Sequence, residues 1–239
     1  MSSTRPQGKE KVTAEQIPLD LGARHAFGRA DFQVGRSNRD AVGWIDRWPN
    51  WPAPVLIIQG SAASGKSHLA AVWQEKSNAA IIKPEMLTSH TAEELFELGE
   101  ALVLDGLDPW LGDRTAETTL FHLYNMLKEE QKTMLITMRM APTHADFIIA
   151  DLASRFRAAP AVSIHTPDDM LLASVLIKLF SDHQLSLSHD VISYLLPRME
   201  RSFAAAQDVV RRADRKALSE KRGISIPLMR KVLAEMQDD

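Results

Sequence analysis

The chain has 239 residues, 45% of them hydrophobic and 25% charged, with a formal net charge of −3. A chain of that length buries a sizeable core as one large domain or two small ones, and its ordinary globular composition excludes fibrous and disordered classes. Cysteine is absent, which excludes a disulfide scaffold, a zinc-thiolate centre and a cysteine nucleophile, and the acidic balance argues against strong autonomous binding to DNA over a broad face.

Taken in chain order, the first ten residues are polar and lead into no signal-like apolar region. No apolar run approaches the ~20 residues that a bilayer requires, so no membrane span is expected, and the reading is of a cytoplasmic protein. Residues 1–22 read as a flexible tail with one apolar island at 17–21. Trp44, Trp48 and Trp51 follow, and aromatics beside prolines are read as packing. From Pro54 short β-branched runs alternate with helical stretches. The pattern predicts strands at 55–58, 79–82, 101–104, 134–137 and 162–164, with helices at 66–74, 92–98, 116–130 and 147–155. In the third helix Leu120, Leu123, Tyr124 and Leu127 form a core-facing stripe. The fold class is therefore α/β, with a five-stranded parallel sheet.

After Pro167 the periodicity is helical throughout. Leu171, Leu172, Val175, Leu176 and Leu179 make one stripe, and Val191, Ile192, Leu195 and Leu196 the next. A third helix is expected at 202–220 and a last one after Ser225-Ile226-Pro227. The expected division is a tail at 1–22, an α/β core at 23–165 and an all-helical lid at 166–239.

Gly60-Ser61-Ala62-Ala63-Ser64-Gly65-Lys66-Ser67 matches G-x-x-x-x-G-K-[ST] between the first strand and the first long helix. Backbone N–H groups in such a turn face phosphate, with the helix N-terminus adding favourable dipole. Lys66 is expected at the β- and γ-phosphates and the Ser67 hydroxyl on Mg²⁺. Asp105 ends the apolar strand 101–104, where an acid comes beside that metal. Gly106 cannot orient an attacking water, and the offset of Asp108 leaves its direction open. The eight histidines show no metal-ligand spacing.

Together these segments resemble the AAA+ core of the replication initiator DnaA and its shorter relatives, over about residues 23–236. Phe32-Gln33-Val34-Gly35-Arg36-Ser37-Asn38-Arg39 is similar to the motif that borders the adenine pocket, which implies that Val34 and Gly35 meet the base. Phe121-His122-Leu123-Tyr124-Asn125 is similar to the helix before sensor 1. Asp151-Leu152-Ala153-Ser154-Arg155 is similar to the segment with the arginine finger, which implies that Arg155 acts in trans. Met199-Glu200-Arg201 falls where the family places its sensor 2 arginine. An initiator carries an N-terminal interaction domain and a helix-turn-helix domain besides this core, and the layout expected here, without either, is that of the Hda-type regulatory inactivator.

Gln16-Ile17-Pro18-Leu19-Asp20-Leu21 looks like a bacterial sliding-clamp-binding peptide. Ile17, Leu19 and Leu21 supply the apolar side chains, Leu19 and Leu21 entering a pocket, while the Gln16 amide bonds at the far end of the groove. The resemblance implies ADP or ATP with Mg²⁺ as cofactors, and as partners the clamp (the β subunit of DNA polymerase III) and DnaA, whose ATP hydrolysis the chain would stimulate to restrain re-initiation. Self-association is a further expectation, because AAA+ subunits meet at the nucleotide. Two departures stand out: Gly106 replaces a second acid, and Thr137-Met138-Arg139 lacks the polar or acidic residue expected after the threonine. Both imply weak intrinsic hydrolysis. A helicase-loader-type ATPase and a small-molecule kinase are the alternatives. Arg211, Arg212, Arg215, Lys216, Lys221 and Arg222 are read as a solvated helix face with at most weak DNA contact.

Overall fold

Short apolar runs that alternate with helices leave each strand needing a crossover before it can pair in parallel. The computed structural model, which describes residues 33–237, has five such strands: β1 (Val55–Gln59), β2 (Ala80–Ile82), β3 (Ala101–Leu104), β4 (Thr133–Met138) and β5 (Ala161–Ser163). They pair in the order β2-β3-β4-β1-β5, every pair parallel, with Ile57 opposite Ile136 on one side and Ala161 on the other. The clamp-like peptide with Gln16, Ile17, Leu19 and Leu21 lies outside the described residues.

Helices cover both faces, so β1 is a continuous apolar run rather than an alternating one. On one face α1 (Arg39–Arg47) and α2 (Lys66–Ser77) bring Ala41, Ile45, Leu69 and Trp73 onto Leu56, Ile58 and Leu135. On the other lie α3 (Met86–Ser89), α4 (Ala92–Phe96), α5 (Arg114–Glu129) and α6 (Ala150–Ala158), packing Leu120, Leu123, Leu127 and Phe156 against Ile57, Leu104 and Ile136. The α5 stripe predicted from periodicity is the buried face.

The four remaining helices have a core of their own. α7 (Asp169–Asp182), α8 (His189–Leu195), α9 (Phe203–Glu220) and α10 (Ile226–Gln237) enclose Leu172, Leu176, Phe180, Val191, Leu195, Val209 and Met229. Alanines at 205, 206, 213 and 217 line the buried side of α9, where small side chains let helices approach closely. Asp168 caps α7 through the Leu171 N–H at 2.8 Å, and Ser202 caps α9 through the Ala205 N–H at 3.1 Å. Pro227 occupies the first turn of α10, where its missing N–H costs nothing.

Two features depart from the sequence expectation, and a third agrees with it. α6 starts at Ala150 rather than 147, because the Ile148 and Ile149 amides are held by the Glu117 carboxylate on α5. α1 and α3 are additional short helices. The tryptophans are packing groups: Trp51 stacks on Trp73 at 5.2 Å, Trp48 meets Trp73 edge-on, and the Trp48 indole N–H donates to Thr133 Oγ1 at 3.0 Å.

Candidate nucleotide site

β1 delivers the chain into the glycine loop at the C-terminal edge of the sheet, the place where open α/β sheets bind ligands. The Gly60 N–H donates to the Met138 carbonyl at 3.2 Å, and a Cβ at Gly60 would lie 2.3 Å from the Ile164 carbonyl oxygen, so no larger residue passes. Gly65 precedes α2 at φ +101, a left-handed conformation natural to glycine. α2 then begins without a side-chain cap and without an acidic residue in its first turn. Its first N–H groups and dipole therefore present a site suited to an anion.

The Lys66 ammonium curls over this loop, donating to the carbonyls of Gly60 at 2.8 Å and Ser61 at 2.7 Å. Burial lowers its pKa below the ordinary 10.5, with Asp108 and Asp105 opposing that shift and Arg139 adding to it. Ser67 follows in the first turn of α2 with its side chain exposed. Asp105 directly follows β3. The Thr137 hydroxyl donates to Asp105 and accepts the Gly106 N–H at 2.8 Å, which fixes the carboxylate at the sheet edge. A carboxylate and a hydroxyl oxygen are the hard donors that Mg²⁺ takes.

Gly106 has φ +85 with open space where a side chain would sit. The position of the missing acid is thus a left-handed turn. Asp108 resolves the direction the sequence left open: both its oxygens accept the Arg139 N–H, at 2.7 and 2.9 Å, which ties the turn after β3 to the end of β4. Arg139 in turn lines a cleft of about 270 Å³ with Gly60, Ser61 and His165.

The lid reaches this site at two glycines. A Cβ at Gly35 would fall 2.9 Å from the Leu171 side chain of α7, and one at Gly65 would fall 2.9 Å from the Phe203 ring of α9. Asn38 holds the Val34–Gly35 segment, accepting the Gly35 N–H at 2.8 Å and donating to the Gln33 carbonyl at 2.9 Å. Arg201, two residues before Phe203, pairs with Asp169 at 3.0 Å, and both side chains are exposed. Arg155 stands on α6 with its guanidinium over the rings of Phe121 at 4.9 Å and Tyr124 at 5.4 Å. The structure therefore gathers residues 60–67, Asp105 and Thr137 at one edge, sets the start of α9 against the loop at Gly65, and packs Gly35 against α7 of the lid. Phe203 and Glu117 escaped the sequence reading, and Asp108 was named there without its tie to Arg139. Only Glu117 left a trace there, as a carboxylate in phase with the α5 apolar stripe.

A family model described as Hda, lid domain, matches residues 172–233. An uncharacterized protein of Haemophilus influenzae is 26% identical over 188 residues, covering 75% of this chain and 81% of that one. The chromosomal replication initiator protein DnaA of Flavobacterium psychrophilum is 25% identical over 202 residues; the match takes in 75% of this chain but only 42% of the initiator. Domain III of the Thermotoga maritima replication initiation protein DnaA superposes with a TM-score of 0.75 at 16% identity, over 87% of this chain and 96% of that one. A replication initiator DnaA bound to AMPPCP and single-stranded DNA gives 0.68 at 21% identity, over 80% and 66%. The Thermotoga maritima RuvB Holliday junction branch migration motor gives 0.63 at 14%, over 78% and 63%. The fold these likenesses establish is an AAA+ α/β core followed by a helical lid.

Proposed function

We propose that the chain is a DnaA-related AAA+ protein of Hda type, a reading supported by the Hda lid-domain match and the likeness to DnaA, and from that premise that it is a nucleotide-held regulator of replication initiation, acting in the cytoplasm on an initiator ATPase. One observation carries the reading: the phosphate cradle is complete while the positions that drive turnover are not. Lys66, the α2 N-terminus and the Thr137-held Asp105 supply a cation, N–H donors and a metal-side carboxylate. Glycine at φ +85 and an arginine stand where the second acid and the sensor polar group would.

In this scheme residues 60–67 hold the phosphates of ADP or ATP, with Val34 and Gly35 at the base and Arg201 on the lid side. Ser67 and Asp105 are the ligands for Mg²⁺, which neutralises phosphate charge when bound. Slow turnover keeps the molecule loaded. Arg155 is the group that acts outward: an arginine supplied to a neighbour's γ-phosphoryl raises hydrolysis by about 10³–10⁵. The neighbour is DnaA, and the peptide at Gln16, Ile17, Leu19 and Leu21 tethers the regulator to the sliding clamp, raising its effective concentration on DNA.

The test is stimulation of DnaA ATP hydrolysis by this protein with DNA-loaded clamp. Arg155→Ala is expected to abolish stimulation while keeping nucleotide and clamp binding. The double change Gln16→Ala, Leu19→Ala is expected to lose clamp capture while keeping nucleotide. Full stimulation by Arg155→Ala would refute the finger, and equal clamp recovery of the tail variant would refute the tether.

A further inference from the structure

Glu117 lies on the α5 stripe three residues before Leu120 and is 1% exposed. A carboxylate enters such a place only when donors meet it. Three backbone amides do: Oε1 accepts from Gly112 at 2.8 Å and Ile148 at 3.1 Å, and Oε2 accepts from Ile148 at 2.9 Å and Ile149 at 2.8 Å. Ile149 is the residue from which α6 starts, and α6 has no side-chain cap of its own. Its orphan N–H groups are met from the neighbouring helix, by a negative charge where the helix dipole favours one.

The same helix grips α6 a second time. Phe121 and Tyr124, four and seven residues after Glu117, share its side of α5, and they carry the Arg155 guanidinium on their ring faces. One side of α5 thus fixes the start of α6 through its backbone and its last turn through the arginine. Glutamine cannot reproduce the first contact, because its NH₂ would face an amide N–H where the second oxygen now accepts.

We propose that Glu117 is the positioning residue for Arg155: by anchoring the amides of Ile148 and Ile149 it sets the height and rotation at which α6 presents the guanidinium to a partner's nucleotide. The inference rests on the finger reading above. It assigns Glu117 no contact with nucleotide, only the geometry of a group that has one, and a finger displaced by ~1 Å loses about a hundredfold in rate.

The experiment compares the full-length wild type, Glu117→Gln, Arg155→Ala and the double variant. Maximal stimulation of the partner ATPase, ADP affinity and amide exchange at Ile148 and Ile149 are measured for each. Glu117→Gln is expected to lose at least about tenfold in stimulation, to keep ADP affinity within about twofold, and to exchange those amides faster. Because Arg155→Ala alone removes stimulation, the double variant is compared with it in ADP affinity, which is expected to be unchanged, whereas a general loss of structure would lower it. Undiminished stimulation by Glu117→Gln, or a double variant with clearly weaker ADP affinity than Arg155→Ala, overturns the inference alone. Undiminished stimulation by Arg155→Ala overturns the finger reading and this inference with it. Glu117→Asp, which keeps the charge and shortens the reach, replaces Glu117→Gln should that variant fail to fold.

Discussion

Lys66 is held between burial, which disfavours its charge, and two carboxylates that favour it. A bound polyphosphate adds a further preference for the charged form, so binding and protonation are linked. Nucleotide affinity is expected to be level below the lowered pKa of the free site, where Lys66 is protonated both free and bound. It then falls as pH rises through the lowered pKa of the free site, earlier than an ordinary lysine at 10.5 would give; a calorimetric pH series checks this. Gly106 yields a second prediction. Placing an acid there puts a side chain at φ +85, so Gly106→Glu is expected to destabilise the fold by about 1–2 kcal/mol in denaturant unfolding and to leave ATP hydrolysis slow. The loop from Gly60 to Ser67 was legible in the sequence because its chemistry is contiguous. The tie from Asp108 to Arg139 was not, since it joins residues 31 apart across two strand ends.

At the level of elements, β1, β3 and β4 were legible because apolar runs buried on both faces have little alternative. α5 was legible from its stripe. α1 was hidden because its buried residues, Ala41, Val42 and Ile45, are spread among tryptophans that dominate the local pattern. The start of α6 was misplaced by three residues because Phe147 extends the apolar phase while Glu117, distant in sequence, takes the amides that would begin a helix there. The seat of the lid is likewise a long-range feature. Gly35→Ala would press a methyl group into Leu171, an overpacking expected to cost about 1–3 kcal/mol in denaturant unfolding and to weaken nucleotide uptake as the Val34–Gly35 segment shifts.

Over the whole molecule, two apolar clusters flank the sheet and a third fills the lid, and the glycine loop lies where the lid meets the sheet edge. Of the six basic residues between 211 and 222, three pair within the lid: Arg211 and Arg212 with Asp208, Lys216 with Glu235. That pairing reduces the charge offered to phosphates, so direct DNA affinity is expected to be weak and its salt dependence shallow, as a salt titration would report. No described helix is long and apolar enough to cross a membrane. Trans action and tethering both presuppose a loaded molecule, so the most direct measurement is calorimetry of the full chain with Mg²⁺ and ADP, or a non-hydrolysable ATP, beside Lys66→Ala. The account predicts saturable uptake by the wild type that falls by about tenfold or more in the variant; no uptake of either nucleotide by the wild type would contradict it.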